Sequence, residues 1–221
     1  MAELICGLNS ETIRANLQQI RSQLAGAAGG RPVEVLAATK YVPPRELPAL
    51  AAAGIRVVGE NRAQDLQAKV AAHGALFEWD FIGQLQSRRV RQIVPHVRLI
   101  HSVASDSALR ELERHRELAR PGLRILVEVN VAREPGKAGV APEELDSFIA
   151  RSPLPVAGLM TMPPLSLDPA GSRRWFAALA ELARERGLEH LSMGTSQDYV
   201  VAAEEGATIV RIGTKLYNPG P

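Results

Sequence analysis

Short apolar runs alternate with amphipathic stretches along almost the whole chain. The apolar runs are rich in β-branched residues, which is typical of buried strands, and the stretches between them repeat apolar positions at helical spacing. The predicted strands are 33–38, 55–58, 77–82, 97–100, 123–131, 156–159, 190–193 and 208–212. The predicted helices are 10–25, 44–53, 63–72, 87–94, 105–118, 142–150, 169–186 and 197–204.

This order of elements predicts an α/β fold, a single (β/α)8 TIM barrel with an extra N-terminal helix. Alternation with short connections implies parallel strands joined by right-handed crossovers. Eight such units in 221 residues fit a closed barrel better than an open doubly wound sheet. No linker, low-complexity stretch or change in composition interrupts 1–221, so we expect one domain.

Composition and charge narrow the class of protein. The chain is 46% hydrophobic and 23% charged, and its net charge of +2 does not require a nucleic-acid or membrane partner. The basic run 87–91 is interpreted as a solvated helix face. The five histidines and the lone Cys6 lack metal-ligand spacing, so no metal is expected. The start of the chain does not resemble a signal peptide, and the expected location is the cytoplasm.

The first predicted strand runs directly into a lysine. Lys40 follows an apolar run and is followed by Tyr41 and two prolines, which end the strand. If Lys40 were buried there, its pKa would fall, and the neutral amine could attack an aldehyde to form a Schiff base. Alternatively, the side chain extends from the strand end to solvent. The segment by itself leaves both interpretations open.

In a barrel, the carboxyl ends of the strands build the active site. Small and polar residues concentrate at these ends: Lys40, 59–61, 83–86, 101–102, Asn130, 160–163, 192–196 and 211–214. The loops 193–196 and 213–214 each precede a helix or turn whose free N–H groups suit a phosphate. The alternative is that Ser196 merely caps its own helix and that Gly213 merely turns the chain.

Several short motifs occur in order over nearly the whole length. They are AATK (37–40), GEN (59–61), FIGQLQ (81–86), VNV (129–131), KAG (137–139), GLMTMP (158–163), LSMG (191–194) with Ser196 and Asp198, and VRIGT (210–214). Together they resemble the pyridoxal phosphate homeostasis proteins, the YggS-like or proline-synthase co-transcribed family. The resemblance implies a barrel like the N-terminal domain of alanine racemase, with pyridoxal 5′-phosphate (PLP) bound as an internal aldimine, a Schiff base on Lys40.

The resemblance also implies roles for other residues. Ser196, Gly213 and Thr214 would hold the phosphate, and Arg211 would face the pyridine nitrogen, where a permanent charge weakens the electron sink. The remaining implied pocket residues are Asn61, Met160, Ser192 and Met193. The chain departs from the common family pattern at Arg62, Asp80 and Thr195.

Two functions compete for this site. One is a non-catalytic protein that binds, buffers and transfers PLP within the cell, with apo PLP-dependent enzymes as recipients. The other is a PLP-dependent racemase of small amino acids, which needs a second base opposite Lys40. In alanine racemase that base is a tyrosine of a second domain, for which this chain has no room, so the carrier is the favoured hypothesis. We expect a monomer or weak dimer without nucleic-acid or membrane partners.

Overall fold

The computed structural model describes residues 4–218 as a closed barrel of parallel strands surrounded by helices. The strands are β1 (Glu34–Ala38), β2 (Val57–Glu60), β3 (Glu78–Phe81), β4 (Leu99–Val103), β5 (Arg124–Glu128), β6 (Val156–Met160), β7 (His190–Thr195) and β8 (Ile209–Ile212). Each strand pairs with the next, and β8 closes the barrel by pairing with β1, Glu34 opposite Ile209. The predicted TIM barrel is therefore confirmed.

Helices follow the strands and one helix precedes them, as the apolar spacing predicts. They are α1 (Ser10–Ala27), α2 (Leu47–Ala52), α3 (Ala63–His73), α4 (Val90–Ile93), α5 (Asp106–Arg114), α6 (Leu145–Ala150), α7 (Arg173–Glu185), α8 (Tyr199–Glu204) and α9 (Thr214–Tyr217). Asn9 caps α1 by accepting from the N–H groups of Glu11 and Thr12 at 2.8 and 3.0 Å. Among the helices of residues 4–218, none is long and apolar enough to cross a membrane.

Several predicted boundaries differ from the structure at polar strand ends and tight turns. The predicted strand 123–131 ends at Glu128, because the chain beyond it turns and keeps only a single bridge, Val129 to Val140. The predicted helix 105–118 breaks after Arg114 into a separate 3-10 turn. The predicted helix 197–204 begins only at Tyr199. Apolar periodicity locates an element well but locates its ends poorly.

The core has two layers. Inside the barrel lies a small apolar cluster: Leu36, Val57, Leu99, Leu126, Ala157, Met160 and Ile209. A larger layer fills the space between the strands and the helices, and α1 contributes its buried stripe of Ile13, Leu17, Ile20 and Leu24 to it. Because side chains alternate along each strand, successive residues face the two layers in turn.

Candidate functional site

A cavity of about 450 Å³ opens at the carboxyl ends of the strands. Predicted site residues that line it are Lys40, Asn61, Ser196, Arg211, Gly213 and Thr214. Lys40 and Arg211 give the lining two cations, and no carboxylate of the described residues is part of it. The Oδ1 atom of Asn61 is buried without a hydrogen-bond partner in residues 4–218. The lining therefore suits an anionic ligand that can also reach a primary amine.

Lys40 lies at the mouth of this cavity rather than inside the fold. Strand β1 ends at Ala38, Thr39 turns inward, and the side chain of Lys40 is exposed. Its Nζ lies 4.9 Å from the ring centroid of Tyr41. The interpretation of Lys40 as a buried lysine is therefore wrong, because the strand ends before it and the turn directs it outward. The alternative, a strand-end lysine that reaches solvent, agrees with the structure.

The lysine that is buried near this strand end is Lys69 of α3. Its Nζ donates to the carbonyl of Thr39 at 2.8 Å and to Glu60 Oε1 at 2.5 Å. The Thr39 hydroxyl donates to the same Glu60 oxygen. Burial raises the pKa of Glu60, and the Lys69 ammonium opposes that rise. This cluster fixes Thr39, the residue that precedes Lys40. Sequence reasoning missed it because Lys69 looks like an ordinary helix-surface residue.

Arg211 comes from β8 and is largely buried in the floor of the cavity. Its guanidinium donates to the Ser192 carbonyl at 2.7 Å, to the Ser192 hydroxyl at 2.6 Å and to the Thr161 carbonyl at 3.0 Å. Burial lowers its pKa to about 10, and the negative charges of Glu128 and Asp198 oppose this change. Arg211 is thus charged at neutral pH although it is buried.

A row of hydrogen bonds runs from Arg211 through the barrel interior. Ser192 Oγ lies 2.8 Å from His101 Nδ1, and His101 Nε2 lies 3.1 Å from Asp80 Oδ2. Arg98 donates to both oxygens of Asp80, at 2.9 and 3.0 Å. Burial lowers the pKa of His101. A neutral His101 that donates from Nε2 to Asp80 and accepts at Nδ1 from Ser192 gives every partner in this row a consistent role.

The last two loops of the barrel are tied together by Ser196. Its Oγ accepts from the N–H of Gly213 at 3.1 Å, and more weakly from that of Lys215 at 3.5 Å. The carboxylate of Asp198 instead holds the turn before α8, accepting from the N–H of Thr195 at 2.8 Å. The alternative that Ser196 caps its own helix is therefore wrong, since it bonds to the neighbouring loop.

The other predicted site residues lie outside the lining. Met160 packs in the inner apolar cluster, and Ser192 lies beneath Arg211. The side chain of Met193 belongs to the outer layer between strands and helices. The residues of the lining outside the predicted site set are Ile5, Ala38, Tyr41, Ile82, Gly83, Met162, Thr195, Gln197 and Tyr217. Met162 lies in a strand-end segment already noted, whereas nothing in the local sequence distinguished Tyr217.

Comparisons with known proteins agree with this geometry. The family model for the alanine racemase N-terminal domain matches residues 8–221. The chain is 39% identical to the pyridoxal phosphate homeostasis protein of Aquifex aeolicus, over 94% of this chain and 96% of that protein. This chain belongs to the pyridoxal phosphate homeostasis protein family. The family resemblance drawn from the motifs is confirmed.

Other family members extend the comparison. The pyridoxal phosphate homeostasis protein of Pseudomonas aeruginosa is 38% identical over 93% of this chain and 95% of its own length. The structure of PipY from Synechococcus elongatus with PLP bound is 34% identical, covers 93% of this chain and all of its own, and has a TM-score of 0.78. D-threonine aldolase from Filomicrobium marinum, 16% identical with a TM-score of 0.73, shares the fold alone, and this chain covers 61% of it.

Proposed function

We propose that this protein binds PLP in the barrel-end cavity and holds, buffers and hands on the cofactor within the cell. The observation that carries the proposal is the lining of that cavity. The amine of Lys40 and the cation of Arg211 lie there beside the loops of Ser196 and Gly213, and no carboxylate of residues 4–218 belongs to the lining. PipY, a relative with PLP bound, supports the same ligand. The proposed setting is the cytoplasm, and the proposed recipients are apo PLP-dependent enzymes.

Different residues of the chain would bind different parts of such a ligand. Bound PLP supplies an aldehyde that reacts reversibly with a primary amine, and Lys40 would form that covalent link. Ser196, Gly213 and Thr214 would hold the phosphate through hydroxyl and N–H groups. Arg211 would face the pyridine nitrogen and Asn61 would line the ring. Met160, Ser192 and Met193 stay predicted supports that lie outside the cavity lining.

The carrier is favoured over a racemase by the groups around the cavity. A racemase needs a second base on the face opposite Lys40. The Tyr41 ring lies directly against Lys40 Nζ, which puts it beside Lys40 rather than opposite. The Tyr217 hydroxyl donates to the Ala38 carbonyl at 3.0 Å, and burial raises its pKa, so it stays protonated and is a poor base. Exposure of Lys40 leaves water in reach, which suits loading and release better than catalysis.

The direct test traps the cofactor on its lysine. The purified protein is mixed with PLP, reduced with borohydride and mapped by mass spectrometry, alongside Lys40→Ala and the matched variants Lys137→Ala and Lys215→Ala. We expect the adduct on Lys40, loss of the yellow colour only in Lys40→Ala, and an unchanged circular dichroism spectrum. An adduct of equal yield in Lys40→Ala would rule out the assignment.

A further inference from the structure

A second cavity, of about 250 Å³, adjoins the cofactor cavity and shares Asn61 with it. It is lined by Arg62 from the end of the β2 loop and by Arg88 and Arg89 from the 3-10 turn before α4. We call it the arginine cavity. The rest of its lining is uncharged, with the side chains of Gln64, Gln84 and Gln86 among it. Three cations thus surround one small polar space.

No carboxylate neutralises these cations. Within residues 4–218, none of the three guanidinium groups lies within 4.0 Å of an acidic oxygen. Among the described residues, the guanidinium of Arg88 donates only to the amide oxygen of Gln86, at 3.3 Å, and that of Arg89 only to the amide oxygen of Gln92, at 3.1 Å. Many other arginines of the chain pair with acids, as Arg186 does with Asp146 at 2.6 Å. Unpaired like charges around a cavity create a field that attracts anions.

The start of α3 adds to this field. The N–H groups in the first turn of an α-helix have no intrahelical acceptor, and Arg62, which precedes α3 in an extended conformation, does not cap them with its side chain. The first residues of α3, Ala63 and Gln64, line the cavity. Asp65 belongs to the same turn but is not part of the lining. A cavity at the opposite end of the barrel differs, because it contains two carboxylates, Glu34 and Glu189, beside its arginines.

We propose that the arginine cavity is a second, non-covalent site for phosphate monoesters of the size of PLP, beside the cofactor cavity. Guanidinium groups bind phosphate through paired N–H donors, and three of them match the dianion better than a lone lysine would. The shared wall at Asn61 lets an ester bound there lie next to the cofactor cavity during loading or release. The role in loading rests on the proposed function, whereas the phosphate site itself does not.

The test first occupies the cofactor cavity with PLP and then measures binding to the arginine cavity. Protein loaded with PLP is reduced with borohydride, freed of excess cofactor and titrated by calorimetry with pyridoxine 5′-phosphate, inorganic phosphate and pyridoxine. We expect one saturable event with pyridoxine 5′-phosphate, binding at least tenfold weaker for inorganic phosphate, and none for pyridoxine. The variant Arg62→Gln/Arg88→Gln/Arg89→Gln should weaken the ester by at least about tenfold.

A matched variant removes the same charge elsewhere. Arg21→Gln/Arg116→Gln/Arg174→Gln changes three exposed arginines outside the cavity and should bind the ester within about twofold of the parent. Equal weakening in both triple variants, or no saturable binding in the reduced protein, would overturn the site. Equal affinity for ester and inorganic phosphate would overturn its assignment to esters.

Two further experiments test the arginine cavity independently of the proposed role of Lys40. The single variant Arg62→Gln removes an exposed guanidinium that makes no hydrogen bond to residues 4–218, so it reports even if the triple variant unfolds. Unloaded Lys40→Ala and Lys40→Ala/Arg62→Gln proteins are also titrated with pyridoxine 5′-phosphate, because Arg62 lines the arginine cavity and not the cofactor cavity. Binding there that depends on Arg62 supports the second site even if Lys40 proves not to hold PLP, and its absence counts against the site alone.

Discussion

At the scale of single residues, His101 decides how Arg211 is held. The imidazole is fully buried between the Asp80 carboxylate and the Ser192 hydroxyl, which in turn accepts from Arg211. Burial lowers its pKa, and the nearby charges of Arg211 and Arg98 act in the same direction, while Asp80 opposes them. In the neutral form Ser192 donates to His101 and accepts from Arg211, whereas a protonated His101 would point a second N–H donor at the hydroxyl oxygen that already accepts from Arg211.

This arrangement predicts acid sensitivity. The pKa of His101 in the folded state lies below its ordinary value of 6.5, so the unfolded chain binds the extra proton first. The contribution of His101 to stability is complete above pH 6.5 and is lost as the pH falls from there toward the folded-state pKa. Urea unfolding between pH 7.5 and 5 should therefore show a falling midpoint, and the fall should be smaller in His101→Gln, whose amide can donate to Asp80 and accept from Ser192.

A matched histidine serves as the control for this experiment. His115 is half-buried beside Glu111, at 3.5 Å, and has no role in the interior row. His115→Gln is the comparison variant, and a slope of stability against pH reduced as much as in His101→Gln would show that the interior row is not the origin of the acid sensitivity. If His101→Gln and the wild type lose stability equally from pH 6.5 downward, His101 is not the group that titrates.

At the scale of elements, the turn between β1 and α2 depends on an ion pair contributed by β2 and α3. Lys69 and Glu60 are both buried and bond to each other and to Thr39, whose position sets the exit of Lys40 from β1. The apolar pattern predicts these elements but not this ion pair, because the positions of Glu60 and Lys69 in sequence do not reveal that they face each other. The position of the exposed Lys40 therefore depends on the buried Lys69.

Removing the buried lysine alone should be costly. Lys69→Met leaves the Glu60 carboxylate in an apolar setting without its cation, which typically destabilises a protein by about 3–5 kcal/mol. Chemical unfolding at pH 7 measures the loss. The double variant Lys69→Met/Glu60→Gln removes the uncompensated charge and should recover part of the stability. A double variant no more stable than Lys69→Met would contradict this account of Glu60.

The loop after β8 allows a clean test of the phosphate assignment. A Cβ added at Gly213 would meet nothing closer than 3.8 Å, so Gly213→Ala is the uncharged matched variant for a substitution that adds a charge there. Gly213→Asp adds a carboxylate beside the proposed phosphate and should weaken PLP binding by about 2–4 kcal/mol through repulsion. Equilibrium dialysis compares the two. Equal affinities would mean that the phosphate lies elsewhere.

The conformational role of glycine is different near the end of β7. Gly194 has φ 89°, and a Cβ there would lie 2.5 Å from that of Ala202. Backbone strain and overlap together exclude a side chain at that position. Gly194 therefore shapes the end of β7, whereas Gly213 leaves space beside the loop after β8. Sequence alone did not distinguish these two roles, since the sequence predicts both glycines in short strand-to-helix loops.

At the scale of the whole molecule, the barrel could be predicted from the sequence because each strand and helix carries its own apolar period. The barrel then brings strand ends together without further information, which is why Lys40, Ser196 and Arg211 meet at one cavity. Contacts between distant side chains could not be predicted in this way. The interior row of Arg98, Asp80 and His101 depends on which strand faces which, and the exposure of Lys40 depends on where β1 ends.

The basic run 87–91 is another feature whose surroundings could not be predicted from the sequence. Its charge pattern is that of a solvated helix face, yet two of its arginines line a cavity next to the proposed cofactor site. Whether a charged residue faces bulk water or a shared cavity is decided by the neighbouring loop, here the one that carries Arg62. The two adjoining cavities, both lined by cations without carboxylates, give one side of the barrel end an anion-binding character.

Transfer of the cofactor is the property that decides between carrier and enzyme. Loaded protein mixed with an apo PLP-dependent enzyme should restore activity faster than the same concentration of free PLP, because the exposed Lys40 lets a recipient approach its cofactor. Incubation with L-alanine in deuterated water should show exchange at the α-carbon far below ordinary turnover of about 1–1000 per second. Arg211 is charged at neutral pH, its pKa being about 10, and a cation facing the ring nitrogen keeps that ring a weak electron sink.

Single variants show which residues the transfer assay and the exchange assay depend on. Lys40→Ala should abolish transfer, and Lys215→Ala should leave it unchanged. Reactivation no faster than with free cofactor would reduce the role to storage. Exchange at enzymatic rates that requires Lys40 would instead identify a racemase, and the second base would then be sought by replacing Tyr41 and Tyr217, the tyrosines among the described residues that line the cavity. Loss of exchange in Tyr217→Phe would contradict the expectation that this phenol stays protonated.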